Sequence, residues 1–236
     1  MFGHYNNTFE LKYESFNISV SKQDSIFIYR RKTALEFIEK AIAVENCQIL
    51  INPVEPLNTP KKISNHLMIA LNVPLLLEPK TTKKIYIKFP IEFGVFLTND
   101  LKNIEIIDIF TLSKNKFTLY GDLKDGIICK YYKSDVFLTQ PDCSPIYEGI
   151  IELDVSNKTA KYVTVSMVIF NSFGMRIYYN NDRVFIKASM LILNEGAAEV
   201  DFDNISAPQD MIKSYELYLL KMMSMTKTSF TMEWGL

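Results

Sequence analysis

Two glutamates follow the same local pattern of proline, β-branched residue and glutamate. Glu55 closes the segment Pro53-Val54-Glu55, and Glu92 closes the segment Pro90-Ile91-Glu92. Because proline cannot donate to a sheet ladder, each glutamate follows a point where strand pairing is interrupted. If the two segments are neighbours, their carboxylates converge. Paired carboxylates can perform acid–base or glycosidic chemistry or bind a divalent cation, so Glu55 and Glu92 are candidate catalytic residues.

The same two glutamates also allow a purely structural interpretation. Each could cap a turn, or pair with Arg30, Arg31 or Lys133 to seal a sheet edge. Structural ion pairs are common, and charged side chains inside proteins are usually paired. The sequence therefore favours the structural interpretation and assigns no catalytic residue.

The chain has only two histidines, His4 and His66, which leaves little material for an imidazole-based triad or metal cage. His66 precedes the apolar stretch "LMIAL" and could assist Glu55 as a base or ligand, and Asp108 is another assisting candidate. A single histidine without a spaced partner is weak evidence for a site. The favoured interpretation places His66 at the rim of a sheet.

Other motifs that carry chemistry are absent from the sequence. There is no glycine-rich phosphate loop, no Gly-x-Ser-x-Gly elbow, no Cys-x-x-Cys and no His-x-x-x-His. The three cysteines, Cys47, Cys129 and Cys143, are odd in number and widely spaced, which predicts reduced thiols. Cys143 has no evident cationic neighbour in "QPDCSP", so an inert loop cysteine is expected. The sequence predicts no cofactor and no metal.

The charge balance and the apolar runs limit the classes of partner. The net charge is −1 and no large basic cluster occurs, so a nucleic-acid partner is not predicted. The N-terminus lacks the basic start and apolar run of a signal peptide. The longest apolar runs, "VPLLL" and "VTVSMVIF", are too short to span a bilayer. These features predict a cytoplasmic protein without a transmembrane segment.

Strand patterns dominate the chain. The stretch "FNISVSKQDSIFIYR" alternates apolar and polar residues around a polar turn, which predicts a hairpin. Asn180-Asn181-Asp182 predicts the turn of a second hairpin. Many short strands separated by turns every 8 to 12 residues or so predict a mainly β, antiparallel sandwich. The polar gap "SKNK" predicts a division into two consecutive sandwich-like halves, 1–114 and 115–236. A single continuous domain is the alternative.

Two segments also fit a helix. Residues 32–42 contain helix formers with apolar residues on one face, but the same residues could be an edge strand. Residues 209–224 carry apolar residues at helical spacing after Pro208, with Asp210 at the expected start, which predicts a C-terminal helix. Residues 229–235, with Trp234, are predicted to form a final strand that is pinned to the core.

Several stretches together resemble a known family. They are "NPVEPLNTPKKISNHL", "FPIEFGVFL", "KFTLYGDLKDGIICKYYKSDV" and the ending "FTMEWGL". In these segments, and over nearly its whole length, the chain resembles the archaeal domain-of-unknown-function family number 432. The resemblance implies an archaeal, cytoplasmic protein, and it supplies no catalytic residue.

The sequence favours a non-enzymatic binding or assembly module whose exposed strand edges pair with a protein partner or form a homodimer. One alternative is a hydrolytic or divalent-cation site built on Glu55 and Glu92. A second alternative is sugar or small-ligand binding on an aromatic sheet face. It would use one ring from each of the pairs Tyr131/Tyr132 and Tyr178/Tyr179, because adjacent strand residues point to opposite faces.

Overall fold

The computed structural model describes residues 1–60, 63–100, 103–203, 208–217 and 229–236. Strands dominate these residues, which confirms the predicted mainly β class. The first ten strands are β1 (Gly3–Asn6), β2 (Phe9–Lys12), β3 (Phe16–Gln23), β4 (Ile26–Thr33), β5 (Phe37–Ile42), β6 (Gln48–Val54), β7 (His66–Leu77), β8 (Thr81–Pro90), β9 (Glu92–Asp100) and β10 (Asn103–Phe110). The others are β11 (Phe117–Tyr120), β12 (Ile127–Ser134), β13 (Glu148–Asn157), β14 (Val163–Asn171), β15 (Tyr178–Tyr179), β16 (Val184–Asn194), β17 (Ala197–Phe202), β18 (Ile212–Lys213) and β19 (Phe230–Met232).

The chain divides into two compact units, each built from two separate segments. The first unit comprises Met1–Pro53 and Phe93–Leu112, and the second comprises Val54–Glu92 and Ser113–Leu236. The boundary after Leu112 lies close to the division predicted after residue 114. The segment Val54–Glu92 belongs to the second unit because its strands β7 and β8 pair with β12 and β13 of the later segment. The two consecutive halves 1–114 and 115–236 stay a prediction.

The first unit contains two four-stranded sheets, with strand orders β1-β6-β9-β10 and β2-β3-β4-β5. In β3 the alternation predicted from the sequence buries Phe16, Ile18 and Val20 on one face. The ring of Phe16 lies 5.4 Å from that of Phe93 and 5.7 Å from that of Phe110, so it joins the two sheets. The aromatic contacts form the core of a small sandwich.

A buried polar bridge also joins these sheets. The Nε atom of Arg31, in β4, lies 2.6 Å from Oδ2 of Asp108, in β10. The hydroxyl of Tyr29 donates to the same carboxylate oxygen at 2.9 Å. Burial and the charge of Asp108 raise the pKa of Tyr29, which therefore remains a hydrogen-bond donor. The sequence predicted Asp108 as an assistant of Glu55 and Glu92, but here it serves the sandwich of the first unit.

Replacing Tyr29 with phenylalanine is expected to lower the free energy of unfolding by about 1.5–3 kcal/mol, because the buried carboxylate of Asp108 loses a donor. Urea unfolding followed by circular dichroism measures the change. The matched control is Tyr162→Phe, since Tyr162 is 61% exposed, and it should change stability by less than about 0.5 kcal/mol. Equal effects of the two substitutions would contradict a stabilising role for the Tyr29 hydroxyl.

The second unit contains a four-stranded sheet of order β11-β12-β7-β14 and a larger sheet built on β18-β15-β16-β13-β8. Most pairings are antiparallel, as predicted, but β12 pairs with β7 and β13 pairs with β16 in parallel. Phe170 of β14 stacks on Phe202 of β17 with ring centroids 5.1 Å apart, so the two sheets of this unit share a core. This arrangement is again sandwich-like.

The predicted hairpins form where polar side chains can close the turn. Asp24 joins β3 to β4 with a positive φ of 53°, a conformation that Asp tolerates. Between β15 and β16, the side-chain oxygen of Asn180 accepts the backbone N–H groups of Asp182 and Arg183 at 2.9 and 3.0 Å. Asp24 and Asn180 thus take turn positions that glycine often fills.

The segment 32–42 belongs to strands. It covers the end of β4 and the edge strand β5, so the strand alternative is the right one.

The prediction of a helix over 209–224 is wrong for the residues that the structure describes. Asp210 has a φ of 66°, which is incompatible with the start of a right-handed helix. Ile212 then pairs with Tyr179 as part of β18, and Met211 is buried in a cluster with Tyr178 and Phe185. Residues 218–224 lie outside the described residues. The final strand is present but shorter than predicted, because β19 ends at Met232.

Candidate functional site around Glu55 and Glu92

Both candidate glutamates belong to the second unit, where a turn over residues 56–60 connects them. Glu55 directly follows β6, and Glu92 is the first residue of β9. Lys130 lies in β12, a strand paired on both sides by β11 and β7, and its side chain is buried. The site thus lies where β6 ends and β9 begins, and β12 contributes Lys130 to it.

The Glu92 carboxylate is surrounded by donors. Oε1 lies 2.7 Å from Nζ of Lys130 and accepts hydrogen bonds from the hydroxyl and the amide of Thr59 at 2.7 and 3.3 Å. Oε2 accepts the backbone N–H of Asn58 at 2.9 Å. Glu92 has 0% relative exposure. We call Asn58, Thr59, Glu92 and Lys130 the Glu92 cluster; its charge-assisted bonds leave this carboxylate fully engaged.

Glu55 lies in a different electrostatic environment. It is 2% exposed, and among the described residues its Oε2 atom has no hydrogen-bond partner. Burial is the main cause that raises the pKa of Glu55, to about 8, and the negative charges of Glu216 and Glu92 raise it too. Hydrogen bonds from the backbone of Glu55 and Leu217 partly offset this rise. Glu55 is therefore a neutral carboxylic acid at neutral pH, whereas Glu216 forms an ion pair with Lys213 at 2.6 Å.

Asn58 connects the two glutamates. Its side-chain amide donates to the backbone carbonyl of Glu55 at 2.8 Å, while its backbone N–H donates to Glu92. The charge of Glu92 is also one cause of the raised pKa of Glu55. The structure therefore brings the two predicted residues into one buried region, but among the described residues only Glu92 has an ionic partner.

The other predicted participants lie elsewhere. The ring of His66 contacts the ring of Phe230, with centroids 4.9 Å apart, and burial lowers the pKa of His66. His4 is exposed on β1. Neither histidine contacts a glutamate of the site within the described residues.

The predicted cationic partners of the glutamates require a correction. Arg30 pairs with Glu39 at 2.6 Å, and Arg31 pairs with Asp108. Lys130, three residues before the predicted Lys133, takes the role of ionic partner to Glu92. Lys130 needs such a partner because its side chain is buried, and a buried lysine must be paired or neutral.

The remaining candidates give little indication of chemistry. Within the described ranges, no three His, Cys, Asp or Glu side chains are grouped so that they could hold a metal ion. The three cysteines are free, and burial raises the pKa of Cys129 to about 12 and raises that of Cys143. Higher thiol pKa values disfavour the reactive thiolate.

The four tyrosines of the aromatic alternative do not form an exposed row. Tyr178 and Tyr179 are buried, while Tyr131 and Tyr132 are half-buried. Tyr132 uses its hydroxyl to donate to Glu148.

The comparisons with known proteins identify a family but no individual relative. A family model described as "Protein of unknown function (DUF432)" matches residues 1–233. The chain belongs to this family. The match confirms the resemblance found in the sequence, while the archaeal source and the cytoplasmic location stay predictions. The comparisons with curated proteins and with solved structures found no match. In the described part of the chain, no helix is long and apolar enough to cross a membrane.

Proposed function

We propose that this protein is a non-enzymatic module that binds another protein chain by adding a strand at β11. The observation that carries the proposal is the composition of this edge. The strand reads "FTLY", and Phe117 and Leu119 are 37% and 39% exposed. Leu119 lies opposite Ile128, which is 50% exposed, so an apolar strip continues onto β12. Exposed apolar edges favour pairing with another chain.

The backbone of β11 supports strand addition. The N–H of Tyr131 donates to the carbonyl of Lys116 at 2.8 Å, so these two residues form a hydrogen-bonded pair. Such pairs alternate along an antiparallel ladder. Phe117 and Leu119 therefore direct their N–H and C=O groups away from β12. The same two residues thus offer an incoming strand both apolar side chains and backbone groups that point away from the rest of their sheet.

Several other sheet edges carry features that discourage pairing. Edge strands β2, β5, β8 and β10 contain charged residues: Glu10 and Lys12, Glu39 and Lys40, Lys83, Lys84 and Lys88, and Glu105. Charges on an edge strand are a common protection against unwanted association. On β14, the opposite edge of the β11 sheet, Thr164 is the one exposed residue. β1 and β19 are also uncharged, but their exposed residues His4, Asn6 and Thr231 are polar, whereas the exposed residues of β11 are Phe117 and Leu119.

The two alternatives predicted from the sequence have less support. A paired-carboxylate site needs two available acids, but Glu92 is engaged by Lys130 and Thr59. Of the two acids, Glu55 alone has an oxygen without a hydrogen-bond partner in the described part of the chain. A sugar-binding aromatic face needs exposed rings, and two of its four tyrosines are buried.

Photo-crosslinking in the native cell tests the proposal. A benzoylphenylalanine placed at Phe117 is expected to give crosslinked products of defined mass, because this side chain would lie against the added strand. Leu138 is a matched control position, since it is also apolar and is 78% exposed but lies outside the named strands.

A second variant makes the test specific for strand addition. Leu119→Pro removes an outward N–H without removing a bond to β12, so it should abolish the products formed at Phe117. Products that survive Leu119→Pro, or equal yields at Phe117 and Leu138, would refute the proposed function.

A further inference from the structure

We infer that the second unit holds a binding site for a small diamino carboxylic acid, of which free L-lysine is the representative. The site is a cavity of about 420 Å³ between the loop over residues 140–143, the turn that joins β15 to β16, and Ile150 of β13. This volume is within the usual range for small-molecule sites, about 300–1,000 Å³. The inference is independent of strand addition at β11, because no residue of that strand lines the cavity.

Three charged side chains line the cavity without neutralising one another. They are Asp142, Asp182 and Arg183. In the part of the chain that the structure describes, none of the three forms an ion pair or a hydrogen bond through its side chain. The neighbouring charges of Lys88 and Glu148 pair with each other at 3.0 Å and cancel. Two carboxylates and one guanidinium leave the lining with one net negative charge.

The backbone holds these charges in place before a ligand arrives. The side-chain oxygen of Asn180 accepts the N–H groups of Asp182 and Arg183 at 2.9 and 3.0 Å. The backbone N–H of Asn180 donates in return to the carbonyl of Arg183 at 3.1 Å. On the other wall, the ring of Pro141 restricts the chain directly before Asp142. A site that is already ordered binds its ligand at a lower entropic cost.

The charges define the chemistry of the ligand. The guanidinium of Arg183 presents parallel donors that match a carboxylate. Asp142 and Asp182 belong to different segments of the chain, so each can accept from a separate ammonium group. A free diamino acid carries one carboxylate and two ammonium groups. Its net positive charge balances the net negative charge of the lining.

Two simpler ligands fit the cavity less well. Within the described ranges no three His, Cys, Asp or Glu side chains are grouped to hold a metal ion, and Arg183 would repel a cation. An inorganic anion fits no better, because the two aspartates would repel it. Cys143 also lines the cavity, but burial raises the pKa of its thiol, which stays uncharged at neutral pH and does not alter the balance.

Isothermal titration calorimetry of the full chain with three probes tests the chemistry. L-lysine is expected to bind with a Kd of about 10–500 μM. L-norleucine lacks the second ammonium group and 1,5-diaminopentane lacks the carboxylate. Each should bind at least about tenfold more weakly, because it leaves a charge of the cavity without a partner. No binding of L-lysine would overturn the site, and equal affinity for L-lysine and either analogue would overturn the assigned ligand class.

Variants of the lining show whether the cavity is where the ligand binds. Arg183→Gln should weaken L-lysine at least about tenfold without weakening 1,5-diaminopentane, since only lysine has the carboxylate that the guanidinium holds. Asp182→Asn should weaken both ligands, because both present ammonium groups. The matched control is Arg30→Gln, which removes an arginine that pairs with Glu39 in the first unit and should leave the Kd for L-lysine unchanged.

The selectivity of Arg183→Gln keeps the test independent of folding. A misfolded cavity would lose both ligands, whereas loss of the carboxylate contact affects L-lysine alone. Circular dichroism verifies the fold of each variant. If folded Arg183→Gln weakens both ligands equally, or if Arg30→Gln weakens L-lysine as much as Arg183→Gln does, the inference is wrong.

Discussion

Replacing Lys130 with methionine is expected to lower the free energy of unfolding by about 3–5 kcal/mol, which makes it one of the most damaging single changes in this chain. Methionine preserves the apolar length of the side chain but removes the ammonium group that lies 2.7 Å from Glu92. The carboxylate would stay buried with three neutral donors from Asn58 and Thr59, which cannot balance its charge. Urea unfolding of the full chain at neutral pH measures the loss.

Two further variants show whether the loss comes from an uncompensated charge. The double variant Glu92→Gln/Lys130→Met removes both charges and should recover most of the stability, since neutral replacement of a buried pair is often tolerated. Lys84→Met is the matched control, because the pair of Lys84 with Glu152 is partly exposed and should contribute far less than the buried pair. If the double variant is no more stable than Lys130→Met alone, the charge argument is wrong.

The Glu92 cluster shows which residues of the site could be predicted from the sequence and which could not. The repeated proline–glutamate pattern singled out Glu55 and Glu92 because interrupted strand pairing is a local property of proline. Their partner could not be found in the same way. Lys130 reaches Glu92 only because β12 pairs in parallel with β7, a contact between residues more than 60 positions apart. Local patterns do not encode such crossovers, so Arg30, Arg31 and Lys133 seemed equally suitable.

In the fold, too, local sequence patterns predicted the elements that depend on neighbouring residues but not those that depend on tertiary contacts. Alternation predicted the strands and hairpins because a half-buried strand must repeat every two residues. The helix predicted over 209–224 was wrong in its described part because its apolar spacing also suits pairing. Met211 reaches a buried cluster, and Ile212 pairs with Tyr179, once the left-handed conformation of Asp210 redirects the chain. Tertiary contacts here override local helix propensity.

Replacing Glu55 with glutamine is expected to stabilise the protein increasingly as the pH rises. In the folded chain the pKa of Glu55 is about 8, against an ordinary value of 4.5. Below the ordinary value both states carry the proton, and Glu55 adds no pH dependence. Between the two values the unfolded chain releases the proton while the folded chain retains it, so wild-type stability falls as the pH rises. Above about pH 8 both states are ionised, and the loss levels off.

The size of the effect follows from this shift. Each pH unit between the two values contributes about 1.4 kcal/mol, so glutamine should be more stable than glutamate by about 3 kcal/mol at pH 7 and about 4 kcal/mol at pH 8. Near pH 4.5 the two chains should differ little, because glutamine has nearly the same size and, like the protonated acid, is uncharged. Urea unfolding of both chains across this range gives the difference directly and cancels the contributions of other titrating groups.

The same experiment distinguishes a buried acid from an incidental surface carboxylate. Glu45 is exposed, so Glu45→Gln should shift stability by less than about 0.5 kcal/mol at every pH. A stability difference between wild type and Glu55→Gln that is constant with pH would mean that the carboxyl group reaches solvent or a cation in the folded chain. A difference that grows as predicted would identify Glu55 as a proton-retaining acid that costs stability at neutral pH. Such a cost is unusual for a residue with only a packing role, because a neutral side chain of the same shape would avoid it.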